Sequence, residues 1–392
     1  ATANASLHMN APELSRIAAF MNPEDGPLGP LDGSLTVVPR ADDSGADLKL
    51  EISTELATVT GNGVVKATPG YVGSAAKIQL ESPDAGTLAT AMGMPLTRDK
   101  PVSASLGFTK SASGFDLDPS IATIGEDQLQ IAGSIGQDPL AAGTLLQLDA
   151  NGPDFTWVRE ALGIEDPGNS VEPYELSTSV EATRRLFTIH RFDAKFGEQR
   201  ARFSGTLAEK PLSPASRLVF DISLPSVTEA LRKGGIAAPD LPVGSLSASG
   251  VLQGAPESVL LQAVEVSVNG ADAEIDGTLL PADNWEGTHI NLRATGKDLS
   301  QLLPGPGPGS RWAKPFTLSG EARVKQGELK LVDARLAAAG VEAGLVDFLD
   351  SAGALVVFAA FAGDLLAAFG GVFAALLVAL LLAGLAGAAS CC

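Results

Sequence analysis

The feature that most constrains the fold is a long-period repeat marked by proline and glycine. Prolines before short helical patterns recur at nearly constant spacing: Pro12, Pro83, Pro153 and Pro225. A second set, which we call the landmark prolines, recurs at spacings that vary by only a few positions: Pro30, Pro101, Pro173, Pro242 and Pro315. Self-similarity at a fixed period, here about 70 residues, is typical of arrays of one structural unit.

Pairs of glycines, the closing glycines, provide a third marker toward the end of three repeats: Gly125 and Gly133, Gly197 and Gly205, Gly270 and Gly277. Together the markers predict repeat units at residues 1–82, 83–152, 153–224 and 225–296, a partial fifth unit at 297–345, and an apolar tail at 351–392. The first residue is Ala1, so we expect the chain to follow a cleavage or to be a piece of a longer protein.

Within the units, apolar and polar residues alternate with period two, which predicts half-buried strands. In the third unit Phe192 and Ala194 fall on one face, and Asp193 and Lys195 fall on the other. Strict alternation also places His190 on the apolar face, where we expect a buried core histidine rather than a catalytic one.

The predicted fold is mainly β, with about five units of four or five antiparallel strands and one short helix each. Strands placed in this way would continue one sheet from unit to unit and form an elongated, curved array. Each short helix would begin at a proline such as Pro83, because the first helical amide has no partner within the helix.

The apolar tail contains one charged residue, Asp364, between residues 351 and 392. The uncharged stretch 365–389 would extend roughly 37 Å as a helix, enough to cross a bilayer core of about 30 Å. No Lys or Arg flanks this stretch to set an orientation. Two interpretations follow, a C-terminal transmembrane anchor and an artefactual or frame-shifted tail.

Composition restricts the function. The 27 basic and 46 acidic residues give a net charge of −19, which disfavours nucleic acid as a partner. The only cysteines are Cys391 and Cys392, and the three histidines are far apart in sequence. We therefore expect no metal, no cofactor and no enzymatic activity. Arg191 and Arg200 belong to the densest basic region, where they would contact lipid phosphate or pair with the protein's own carboxylates.

Three segments together resemble the AsmA-like superfamily of Gram-negative envelope proteins, which includes TamB. They are the strand start 314–322, the alternating run 327–331, and closing stretches such as 203–207. The resemblance covers about residues 10–340 and lies in the succession of short helix, proline, strand and closing glycine. We expect the family's N-terminal membrane helix to lie outside this sequence, as in a fragment that lacks its start, and the C-terminal apolar tail departs from the family pattern.

The resemblance implies a membrane-anchored periplasmic protein that conducts phospholipid between the inner and outer membranes along an apolar β groove. Inner- and outer-membrane proteins are possible further partners. Alternation after the landmark prolines supplies candidate lipid-binding residues on the groove face: Leu31, Leu35, Val37, Val102, Leu106, Phe108, Tyr174, Leu176, Val180, Phe316 and Leu318.

Two alternatives remain open at this point. The same side chains could pack beneath the short helices as an ordinary dry core, as in an adhesin or a plain β repeat. The protein could also be a scaffold for outer-membrane proteins, because exposed sheet edges can accept a strand from a client.

Overall fold

The computed structural model describes residues 4–11, 30–91, 99–137, 142–155, 172–183, 186–208, 212–226, 244–280, 286–301, 313–325, 328–338 and 341–344. These residues are mainly β, as the alternation predicted. They fall into two compact units, which meet in sequence near residue 184.

The described strands of the first unit are β1 Ala5–Ala11, β2 Leu31–Pro39, β3 Gly45–Thr54, β4 Thr58–Lys66, β5 Ala75–Ser82, β6 Val102–Lys110, β7 Gly114–Ile124, β8 Asp127–Gly136, β9 Ala142–Gly152 and β10 Tyr174–Thr183. Each strand pairs antiparallel with the next one in the chain. Among the described residues β1 pairs with β2 alone, so this ladder of strands is open at β1.

The described strands of the second unit are β11 Leu186–Phe196, β12 Gln199–Ala208, β13 Arg217–Leu224, β14 Leu246–Ala255, β15 Ser258–Val268, β16 Ala271–Leu279, β17 His289–Gly296, β18 Phe316–Lys325, β19 Glu328–Ala338 and β20 Val341–Gly344. They also pair antiparallel in chain order. Antiparallel neighbours need only short turns, which suits the Gly-rich turn sequences.

Antiparallel winding places the long connections of each unit at one end of its strands. In the first unit they are residues 12–30, 83–101 and 153–173, and in the second they are 225–245 and 297–315. We call this the long-connection end and the opposite one, where short turns join β2 to β3 and β6 to β7, the hairpin end. One backbone hydrogen bond recurs at three long connections, where an amide near the start of the connection donates to a carbonyl near its end. The three bonds run from the Ala85 amide to the Lys100 carbonyl, from Phe155 to Glu172 and from Leu299 to Lys314.

Helix is scarce among the described residues. The α-helix α1 spans Ala85–Ala91, and 3-10 turns span Pro69–Tyr71 and Leu299–Gln301. Helical structure at two predicted positions, after Pro83 and near Asp298, is therefore present. The other predicted helical segments lie wholly or partly outside the described residues. One short helix in every unit, the five-unit division and the curved shape stay predictions.

The start of α1 differs from the sequence prediction. Pro83 is not the first helical residue; Asp84 caps the helix, which begins at Ala85. The Asp84 carboxylate accepts hydrogen bonds from the Gly86 and Thr87 amides, at 2.8 and 3.1 Å, and from the Thr87 hydroxyl at 2.6 Å. These donors, Thr87 above all, hold the pKa of Asp84 below its ordinary value. A side-chain cap supplies an acceptor to the first backbone amides of a helix, which have no partner within the helix, and a proline side chain cannot do so.

No helix in the described part of the chain is long and apolar enough to cross a membrane. The apolar tail, for which a transmembrane helix was one interpretation, lies outside the described residues.

Candidate functional site: the apolar face of the sheet

In the first unit, directly paired residues form an apolar row across all ten described strands. Paired residues on neighbouring strands point to the same face of a sheet, so the row identifies an apolar face. The row runs Ala5, Val37, Leu48, Gly63, Ala76, Phe108, Leu117, Gly133, Leu146 and Val180.

The second unit contains an equivalent row on its own apolar face. Its members, from β11 to β18, are Ile189, Gly205, Leu218, Leu252, Leu261, Gly277, Ile290 and Ala322. At Gly205 and Gly277 a Cβ atom would meet a backbone carbonyl of the next strand, so the backbone conformation there favours glycine.

The predicted lipid-binding residues all lie on these apolar faces, nine of them in the first unit and two in the second. Leu31, Leu35 and Val37 lie on β2, and Val102, Leu106 and Phe108 on β6, while Tyr174, Leu176 and Val180 lie on β10. Phe316 and Leu318 lie on β18, opposite Gly296 and Ala294. Alternation therefore identified a shared face within each unit.

Burial divides these candidates into two groups. Leu31, Tyr174, Val180 and Phe316 are buried, with Tyr174 only 2% exposed and its ring 5.5 Å from that of Phe155. The remaining seven candidates are half-buried: Leu35, Val37, Val102, Leu106, Phe108, Leu176 and Leu318. A side chain sealed within protein offers little area to a ligand, so the half-buried group is the better candidate for ligand contact.

At the long-connection end, the described parts of two connections, 84–91 and 297–301, contain buried side chains. Ala85 and Ala89 of α1 are buried. In the second unit Leu299 packs with Ala294 and Phe316 in one cluster. Because these two segments bury side chains at the long-connection end, we take the hairpin end as the side from which a ligand would approach the face.

The opposite face of each sheet is polar. In the second unit a paired row on this face contains Asp193, Arg202, Asp221, Ser249, Glu265, Glu274 and Arg293. A recess of about 390 Å³ lies on it and is bordered by Asp221, Glu265, Glu274 and Arg293 among other residues. The described residues contain no group of side chains suited to a metal ion.

Arginines on this polar face pair with the protein's own carboxylates, one of the two outcomes considered for the basic region. The Asp193 carboxylate lies 2.8 Å from Arg200 and 3.3 Å from Arg202. Arg200 and then Arg202 hold the pKa of Asp193 below its ordinary value, because both favour the charged form. Arg184 and Arg185 lie outside the described residues.

Irregular strand pairing displaces the histidine that alternation placed in the core. The register between β11 and β12 shifts between Ile189 and Phe192, and His190 is exposed. The shift is a bulge, which inserts an extra residue into one strand and changes the face on which side chains lie. The expectation of a buried His190 is therefore wrong, whereas Ile189, Phe192 and Ala194 remain buried on the apolar face.

These observations define a class of protein, one in which strands pair antiparallel in chain order and each sheet has one apolar and one polar face. Comparison of the chain with protein-family models, with curated proteins and with solved structures gives no match.

Proposed function

We propose that this is an AsmA-like protein of a Gram-negative cell envelope that binds phospholipid acyl chains on the apolar face of its sheets and passes them between membranes. The observation that carries the proposal is the apolar row of the first unit, because its members on β2 to β6 are half-buried rather than sealed. Each methylene that leaves water against such a surface contributes about 0.8 kcal/mol.

Recurrence in the two rows supports the array of similar units. Members of the rows recur at one constant spacing, the same as that between Pro101 and Pro173. They are Phe108, Val180 and Leu252; Leu117, Ile189 and Leu261; Gly133, Gly205 and Gly277; Leu146, Leu218 and Ile290. Equivalent residues would then present a repeated apolar surface along the chain, as a continuous lipid path requires.

The mechanism in this proposal is passive. Acyl chains would lie along the apolar face, while the polar headgroups stay hydrated at the hairpin end. The same proposal includes a periplasmic location, membrane anchoring and partner membrane proteins. These three parts rest on the resemblance to AsmA-like proteins.

The test compares two neighbouring residues of β2 that lie on opposite faces. Leu35 is half-buried on the apolar face, opposite Leu50, and Thr36 lies on the polar face, opposite Lys49. The full chain, purified in mild detergent, should carry phospholipid in native mass spectrometry. We expect Leu35→Asp to lose most of this lipid, because a carboxylate is costly to desolvate against hydrocarbon.

The matched variant, Thr36→Asp, should keep the wild-type lipid load and the same circular dichroism spectrum. A lipid-free wild-type chain, or equal lipid in both variants, would contradict the proposal. Phe316→Asp is less informative, because Phe316 is buried in a core cluster and its loss would first disturb folding.

A second candidate function, a scaffold that accepts strands from outer-membrane proteins, is favoured by the edge strand β1. Among the described residues β1 has one neighbour, contains no Lys, Arg, Asp or Glu, and leaves Leu7 55% exposed. Such an edge lacks the charges that usually prevent strand addition. Ser6→Lys places a charge on the polar face of this edge strand, opposite Thr36. It should weaken capture of a client strand without changing the lipid load, and unchanged client capture would contradict the scaffold function.

A further inference from the structure

Lys110 is the one basic residue among the described strand positions on the apolar face of the first unit. It lies at the end of β6, two residues beyond Phe108 and on the same face. The other charged residue on this face, Asp127, is buried at the opposite, long-connection end. The apolar face therefore bears a cation at the hairpin end, where we placed the approach of a ligand.

The surroundings of Lys110 hold it in place without neutralising its charge. Its Nζ atom lies 4.4 Å from the centroid of the Phe115 ring, and that ring meets Phe108 edge-on at 5.9 Å. Contact with an aromatic face stabilises a cation but removes none of its charge. Lys110 forms no ion pair within the described residues, although the protein as a whole is acidic.

Backbone hydrogen bonds fix the position of this lysine on the sheet. The Lys110 amide donates to the Ser74 carbonyl and its carbonyl accepts from the Gly73 amide, both at 2.7 Å. The loop that supplies these partners is itself closed, since the Thr68 hydroxyl donates to the Val72 carbonyl at 2.6 Å. The backbone that carries Lys110 is thus hydrogen-bonded to the neighbouring loop at the hairpin end.

We propose that Lys110 binds the phosphate of a phospholipid whose acyl chains lie on the neighbouring part of the apolar face. Phe108, Leu106 and Ile78 are half-buried there, and Leu106 pairs directly with Ile78. A long lysine side chain can cover apolar surface with its stem while its ammonium group reaches polar atoms. The charge is complementary to phosphate, and the apolar surface beside it is complementary to hydrocarbon. This inference rests on the proposed function and names the residue that would orient the lipid.

The experiment compares two lipids with identical acyl chains, phosphatidylglycerol and diacylglycerol, that differ in the phosphoglycerol headgroup, which carries the phosphate. The delipidated full chain is titrated with each lipid in native mass spectrometry. Lys110→Met keeps a long unbranched side chain beside Phe115 and removes the charge. We expect about tenfold weaker binding of phosphatidylglycerol, a change that corresponds to about 1.4 kcal/mol, and unchanged binding of diacylglycerol.

Two further variants serve as controls. Lys77→Met removes an exposed cation from the polar face of the adjacent strand β5 and should leave both affinities at the wild-type value. Lys110→Arg should restore phosphatidylglycerol binding. An effect of Lys77→Met equal to that of Lys110→Met would show a general effect of net charge and would overturn the inference.

The remaining outcomes separate this inference from the proposed function. If the wild-type chain binds neither lipid, the proposed function fails. If it binds both lipids and Lys110→Met binds phosphatidylglycerol as tightly as the wild type, the inference fails and the proposed function stands. Displacement of phosphatidylglycerol by inorganic phosphate at similar concentration would show a site for free phosphate and would overturn the lipid assignment.

Discussion

Strands β2–β5 of the first unit and β14–β17 of the second show the same alternation but differ in burial. On the apolar face of β2–β5, residues such as Leu48, Leu50 and Ile78 are half-buried. On the apolar face of β14–β17, residues such as Leu252 and Val264 are buried, and Val264 is fully buried. A shared sequence pattern therefore assigns side chains to faces without determining how far each face is covered.

This difference separates a stabilising role from a binding role for similar residues. Contacts within the protein already remove the side chains of the buried face from water, so these side chains are expected to stabilise the fold. The half-buried face leaves apolar area in contact with water, which a ligand could remove. The two regions should therefore respond differently to the same kind of substitution.

Deletion of a large apolar side chain should have the largest effect, and the effect should depend on the region. Phe220→Ala, at a side chain only 1% exposed, should lower the free energy of unfolding by about 3–5 kcal/mol, because a cavity remains. Leu50→Ala in the half-buried region should cost about 1–2 kcal/mol, because less area leaves water on folding. Urea unfolding followed by circular dichroism measures both, and an equal cost would remove the proposed distinction.

Glycine substitutions should give a smaller contrast. Gly205 has φ 135°, and a Cβ atom there would collide with the Arg217 carbonyl. Gly205→Ala should therefore cost about 1–3 kcal/mol through backbone strain. Gly61 of β4 has no such backbone angle, and a Cβ would lie 3.3 Å from Leu50 Cβ. Gly61→Ala should change stability by less than about 1 kcal/mol. If thermal unfolding shows that Gly61→Ala destabilises the protein more than Gly205→Ala does, the assignment of strain to Gly205 is wrong.

The smallest effect is expected on the polar face. Asp193→Asn should lower stability at neutral pH by less than about 1 kcal/mol, because its arginine partners are exposed and screened by salt. The pKa of Asp193 is lowered from 3.8 in the folded protein, so its contribution is present above that pH. It is lost as the pH falls through the lower folded value. Unfolding measured from pH 7 to pH 2 should show the variant and wild type converging, and a constant difference would exclude the ion pairs as the cause.

Much of the candidate site follows from alternation and spacing. Strands β2, β6, β10 and β18 begin one residue after Pro30, Pro101, Pro173 and Pro315, and the predicted lipid-binding residues share the apolar faces of their units. The closing glycines also have a structural reason. Gly197, for example, has φ 57° in the turn between β11 and β12, a backbone angle that glycine adopts without a steric penalty.

Other features of the site could not be predicted because they depend on interactions between strands. The bulge near His190 is defined by pairing with β12, and no residue of β11 alone indicates it. The role of Lys110 depends on Phe115 of the neighbouring strand and on the loop that contains Gly73. Asp84 follows Pro83 in the sequence, but only the hydrogen bonds that its carboxylate accepts in the structure identify it as the helix cap.

The sequence by itself determined a mainly β chain, the starts of the strands that follow four landmark prolines, and the division of residues between an apolar and a polar face. Those properties depend on local alternation and on turn residues, which act over a few positions. Only the tertiary structure decided the strand register, the bulge at His190 and the degree of burial on each apolar face. These depend on residues far apart in sequence, because pairing and coverage are set by which strands and connections meet in space.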